Sequence, residues 1–155
     1  MTPQNSKGIT FYMQNMSWIQ PPGYVHQMIH KTWLPFAVQV DTIGGTAPNA
    51  TLSASAQTSE DGKHLRILVA NNGTASCRTD VVVNGWGVAA AGKSGGASIT
   101  AKLAVLSGDA DDANTPANPT KISPTSKAVQ WKQTGATQLL LPPLSFAVVT
   151  LTANL

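Results

Sequence analysis

The sequence predicts an all-β chain, an antiparallel β-sandwich with one N-terminal helix, and three observations carry that expectation. Runs at 51–58, 64–70 and 98–106 alternate apolar and polar residues with Gly, Asn or Asp turn signals between them. The closing stretch LPPLSFAVVTLTANL is apolar on both faces, with Leu144, Phe146 and Val148 on one and Val149 and Leu151 on the other. Such a strand belongs in the middle of a sheet covered on both sides. Only one stretch, Trp18 to Trp33, has helical spacing, and Pro35 ends it.

In that stretch Pro21 and Pro22 suit a first helical turn, where an N–H has no partner to lose. Tyr24, Val25, Met28, Ile29 and Trp33 then form one apolar stripe. A stripe needs a partner surface, so Tyr24, Met28, Ile29 and Trp33 are candidate interface residues, including for a homo-oligomer formed through the helix. Before the helix, Ile9 to Tyr12 is β-prone. After it come strands at Phe36–Val40, Thr51–Thr58, His64–Ala70, Cys77–Val83, Ser98–Leu106, Lys127–Lys132 and Thr137–Leu141. Ser59-Glu60-Asp61-Gly62-Lys63 is a hairpin turn, Asp-Gly being a strong signal. Loops are expected at Asp41–Asn49 and Gly85–Gly96, and a long one at Ser107–Pro124; loops beyond ~12–15 residues are uncommon without a purpose.

Composition narrows the function. The 155 residues are enough for one domain with a real core. Charged residues are only 11%, and the net charge of +3 comes from scattered Lys and Arg with no run and no aromatic interleaving, which argues against nucleic acid. No apolar stretch approaches the ~18 residues of a membrane span, so no membrane partner is expected. MTPQNSKGITFY lacks the basic start and apolar core of a signal peptide. Cys77 stands alone, so neither an internal disulfide nor a cysteine-based metal site is expected.

Catalytic signals are sparse. Glycosidic hydrolysis uses two carboxylates facing each other across the substrate. Here the single Glu, Glu60, falls in a turn beside Asp61. Asp109, Asp111 and Asp112 cluster without the spacing of a calcium loop and read as solvated acids. His26 and His30 share a helix face but have no third ligand in view, so no metal and no cofactor is expected. The chain has no G-x-S-x-G, and AGKSGG lacks the phosphate-loop spacing. No catalytic residue is assigned. Trp86 and Trp131 are the candidate carbohydrate-binding residues, because an exposed indole stacks on a pyranose face; packing is the commoner role of Trp. Asn15, Asn49 and Asn72 begin N-glycosylation triplets, which matter only on secretion by a eukaryotic host.

Taken in order, SWIQPPGYVHQMIHKTWLP, the strand pair around Glu60-Asp61-Gly62, DANTPANPTKISP and LPPLSFAVVTL resemble the C-terminal region of family 51 α-L-arabinofuranosidases. In that family a (β/α)8 barrel precedes a jelly-roll-like sandwich, and Gly23 stands where the last barrel helix carries an aromatic residue. The resemblance implies that residues 1–34 match the end of a barrel and 35–155 a jelly-roll-like antiparallel β-sandwich. The family removes arabinofuranosyl side groups from arabinan and arabinoxylan with two barrel glutamates, and neither maps onto a position of this chain. The implied role is a non-catalytic accessory domain partnered by a missing or separate catalytic barrel, extracellular by resemblance. Two other roles stay open: a free-standing module for plant-type polysaccharide, and a partner-binding sandwich that exposes its helix.

Overall fold

A computed structural model describes residues 8–41, 51–86, 98–132 and 135–154. The remainder of the loops expected at 41–49 and 85–96, from 42 and from 87 onward, lies outside the described residues, as does Asn49.

The chain runs β1 (Thr10–Met13), β2 (Met16–Ile19), α1 (Pro21–Lys31), β3 (Phe36–Val38), β4 (Leu52–Thr58) and β5 (His64–Asn71). It continues through β6 (Cys77–Val81), β7 (Ser98–Ser107), β8 (Thr125–Val129), β9 (Thr137–Leu141) and β10 (Ser145–Asn154). Every pairing is antiparallel. One sheet has the order β3-β4-β5-β10-β7-β8, a second pairs β6 with β9, and β1 with β2 forms a hairpin. The all-β sandwich with one helix is therefore the observed architecture.

The C-terminal strand is central, as its two-sided apolar pattern requires. β10 pairs with β5 on one side and β7 on the other. Its alternation splits the core in two. Ala147, Val149 and Leu151 join Leu65, Ile67, Leu103, Leu139 and Leu141 beneath β6–β9. Val148 and Phe146 face the other way, against Met28, Leu106 and Ile122. Among the described residues α1, the large sheet and the small sheet thus stack as layers, with the β1–β2 hairpin beside the helix start.

Several boundaries differ from the sequence expectation; β8, for one, is Thr125–Val129 rather than Lys127–Lys132, which leaves Trp131 beyond the strand. α1 is the 11-residue segment Pro21–Lys31, not Trp18–Trp33. Trp18 lies in β2, with its ring stacked on Phe11 at a centroid distance of 5.7 Å. The prolines at the first two helical positions mark the true start, because neither can donate to an earlier carbonyl. Leu144 precedes β10 in a left-handed conformation (φ 44°), so the apolar face toward the helix begins at Phe146.

Gly23 explains how the hairpin meets the helix. A Cβ at this position would lie 2.5 Å from the Ile9 carbonyl oxygen and 2.6 Å from Ile19 Cγ2. The aromatic residue of the resembling family has no room here, because β1 and β2 lie directly against the first turn. At the Asp61-Gly62 turn, Gly62 takes φ 67°, the left-handed geometry the hairpin signal called for.

Candidate functional site

The seam between α1 and the large sheet gathers three of the buried polar side chains among the described residues, Gln20, Arg66 and Asn114. At its N-terminal end sits Asn114, from the loop between β7 and β8, 2% exposed. Its Nδ2 donates to the carbonyls of Ile19 (2.7 Å) and Ile122 (2.8 Å), and its Oδ1 accepts from Ile122 N at 2.7 Å. Its backbone pairs with the Gln20 side chain in both directions, at 3.1 and 2.7 Å, and the Trp18 indole donates to the same Asn114 carbonyl at 3.0 Å. Gln20 is the N-cap residue of α1 yet makes no side-chain cap, because its amide is spent on Asn114. One asparagine thus joins β2, the helix start and the long loop. A second buried Asn does the same for the turn before β10: Asn71 Nδ2 donates to Ala75 O (2.9 Å) and Pro142 O (2.8 Å).

At the other end of the seam, Arg66 of β5 lies under the helix, 1% exposed. Its Nη1 donates to the Ile29 carbonyl at 2.6 Å and to Thr32 Oγ1 at 3.2 Å, and its Nη2 donates to Gln57 Oε1. Its Nε is buried without a partner among the described residues. Burial lowers the guanidinium pKa from its ordinary value, as expected of a cation that has lost water without gaining a carboxylate.

Two clefts flank the seam. The larger, about 700 Å³, lies between the N-terminal turn of α1 and the start of the long loop, near Pro22, His26, Asp109 and Phe146. The smaller, about 520 Å³, opens between the C-terminal half of α1 and strands β7 and β10.

The sequence-derived residues fall as follows. Met28 is buried against the sheet, Tyr24 and Ile29 are half-buried, and Trp33 is 59% exposed beyond the end of α1. The stripe is not uniformly exposed: Met28 is packed inside the chain, while Trp33 is open to solvent, as is Phe36 in β3. Trp86 and Trp131 are half-buried and pack on the core beneath the small sheet, away from the seam. His26 and His30 are exposed. Asp112 pairs with Lys121 at 2.5 Å, which holds its carboxyl below the usual value of 3.8. Glu60 lies exposed in the β4–β5 turn. Among the described residues no three His, Cys, Asp or Glu side chains come together as a metal cluster.

Arg66 and Asn114 were not singled out by pattern. Arg66 occupies the alternate face of β5, which reads as solvent-facing until a helix is laid over it. The usable signal was the apolar pairing of Phe146 and Val148, which required a cover on that same face.

No family model matches the sequence, and no curated protein matches it. The fold is nevertheless similar to solved structures of α-L-arabinofuranosidases. An arabinose-bound GH51 enzyme superposes with a TM-score of 0.76 at 19% identity, over 97% of this chain and 22% of that chain. The Thermotoga maritima α-L-arabinofuranosidase in its arabinose complex gives 0.76 at 19% identity, over 95% of this chain and 32% of that one. The GH51 arabinofuranosidase of Xanthomonas axonopodis pv. citri gives 0.63 at 20%, over 93% and 28%. The class defined is therefore a helix-backed β-sandwich. More particularly, it has the fold of one part of GH51 arabinofuranosidases, spanning under a third of their length.

Proposed function

We propose that this chain is a non-catalytic accessory sandwich of an α-L-arabinofuranosidase-type glycoside hydrolase, with a structural role beside a catalytic barrel. The observation that carries the reading is the lopsided coverage: nearly all of this chain superposes, on less than a third of each enzyme. Residues 1–34 then correspond to the barrel edge, with α1 facing barrel elements on its outer side. Tyr12, Met13, Trp33 and Phe36, exposed at 85%, 56%, 59% and 49%, are among the apolar contacts available for that docking. The whole enzyme would act on arabinofuranosyl side groups of arabinan or arabinoxylan, and its acid/base and nucleophile would come from the barrel. The carboxylates placed in this chain support a non-catalytic role, since Glu60 sits in an exposed turn and Asp112 is tied to Lys121.

Incubating the pure chain with nitrophenyl α-L-arabinofuranoside tests the reading. No nitrophenol is expected, and release by the pure chain overturns the proposal. The half-buried setting of Trp86 and Trp131 favours packing over a sugar platform. Titration with arabinan and arabinoxylan while following Trp fluorescence separates the two roles.

A further inference from the structure

We propose that the cleft between the C-terminal half of α1 and strands β7 and β10 binds an anionic sugar, a hexuronate whose carboxylate sits between Lys31 and Lys102. Its volume of about 520 Å³ lies within the range of small-ligand sites, roughly 300–1,000 Å³.

Charge is the first reason. Lys31 of the helix and Lys102 of β7 both line this one concavity, and no Asp or Glu lines it with them. The one ion pair found among the described residues, Lys121–Asp112, lies elsewhere. A third cation stands behind the wall: the β-ladder places Arg66 opposite Thr150, and Thr150 opposite Lys102, on one face of the sheet. Like charges gathered around a low-dielectric concavity repel one another, and an anion relieves that repulsion.

The helix end is the second reason. A helix C-terminus normally opposes an anion through its free carbonyls. Here three of the last four carbonyls are already engaged. Met28 O accepts from Thr32 Oγ1 at 2.7 Å, Ile29 O from Arg66, and His30 O from Trp33 N at 3.3 Å. Most of the negative end of the helix is thus satisfied from within the chain, and the full charges of the two ammonium groups outweigh the half-charge of a helix end.

The remaining lining selects a sugar over a bare anion. Gln27, Ser126 and Thr150 supply an amide and two hydroxyls, which can both donate and accept for ring hydroxyls. Met28, Ala104 and Val148 form an apolar floor suited to the C–H face of a pyranose ring. The inference does not depend on the accessory-domain reading, since a free-standing chain would carry the same cleft.

The test uses the full chain labelled with methyl-¹³C methionine. Met28 floors the cleft, whereas Met13 and Met16 lie in the hairpin region and serve as internal controls. Titration with glucuronate or galacturonate is expected to shift the Met28 methyl saturably at millimolar concentrations, leaving Met13 and Met16 unmoved. Lys102→Gln or Lys31→Gln should each weaken the affinity about tenfold. Both lysines are exposed, so these variants keep the fold. Xylose and arabinose should give no shift, and acetate or sulfate at most a weak one. Equal response to acetate and sulfate reduces the cleft to an unselective anion site and overturns the proposal. So does an absent shift with hexuronate, or an unchanged affinity in the double lysine variant.

Discussion

At its N-terminal end α1 is fastened by a neutral amide, Asn114, and at its C-terminal end by a guanidinium, Arg66. Both groups are almost fully buried, and both reach backbone carbonyls. The amide is the better matched: its Nδ2 has two acceptors, its Oδ1 has a donor, and no carboxamide atom is left over. The guanidinium has three acceptors for its five N–H groups, none of them charged, and its Nε is unpaired. Removing water from an amide costs less than removing it from a cation, and hydrogen bonds recover a larger share of that smaller cost. The N-terminal fastening therefore contributes net stability. The C-terminal one contributes position: it fixes where the helix end lies over the sheet, at a desolvation cost the structure does not fully recover.

Breaking the amide knot should give the largest effect. Asn114→Ala leaves Ile19 O, Ile122 O and Ile122 N without partners. At ~1–3 kcal/mol for each buried unsatisfied group, the expected loss is about 3–5 kcal/mol in urea unfolding at neutral pH. A loss below about 1 kcal/mol would mean that water replaces the side chain, and the contrast between the two ends would fail.

Arg66 should respond to the shape of its replacement. Arg66→Ala opens a cavity under the helix and orphans Ile29 O, at a cost of about 2–4 kcal/mol. Arg66→Met keeps much of the volume and removes the buried charge, so its cost should be about half that or less. Equal losses for both variants would show that the guanidinium stabilises by its charge, which would erase the distinction drawn between the ends. Gly23→Ala probes the amide end sterically. The added Cβ meets a backbone oxygen at 2.5 Å, so the hairpin must shift, and the ~1 kcal/mol propensity gain of Ala is outweighed. A net loss of about 1–2 kcal/mol is expected in the same unfolding assay.

The same contrast shows where sequence is readable. Alternation in β4, β5, β7 and β10 reports which side chains are apolar, and Leu65, Ile67, Leu103 and Val149 do share the face beneath β6–β9. The alternation says nothing about what covers a polar position such as Arg66, which is 1% exposed only because the helix lies over it. β2 escaped because Trp18 falls at helical spacing from the stripe that follows, and the prolines were a better boundary than the tryptophan. Asn114 was visible only inside the motif NTPANP. An Asn in a Pro-rich loop ordinarily signals a turn, and only the register of Ile19 and Ile122 around it shows that its amide closes a knot. Of the motifs that carry the family resemblance, DANTPANPTKISP is held by its own Asn114, and LPPLSFAVVTL is held at Pro142 O by Asn71 from outside the motif. Trp86 and Trp131 were legible as tryptophans but not as half-buried ones, because burial depends on strands far away in the chain.

The smallest expected effect concerns exposed carboxylates, which share neither fastening. Asp61 accepts from Ser59 Oγ at 2.5 Å and from Lys63 N at 3.0 Å, and the Ser59 bond is the chief cause of its lowered pKa. Asp112 is lowered chiefly by its bond from Lys121. In both cases the folded-state value lies below the unfolded 3.8, so the folded state favours the ionised form. Their contribution is present above that unfolded value and is lost as pH falls through the folded one. Both groups are solvent-screened, so the change at neutral pH is slight. Melting curves from pH 6 to pH 2 should therefore fall less steeply at the acid end for the Asp61→Asn/Asp112→Asn double variant than for the parent chain. Asn114→Ala, by contrast, should lower the melting temperature by the same amount across that range, because no proton is exchanged at a neutral amide. An acid slope that steepened in Asn114→Ala would place a titrating group inside the knot and end its description as a neutral fastening.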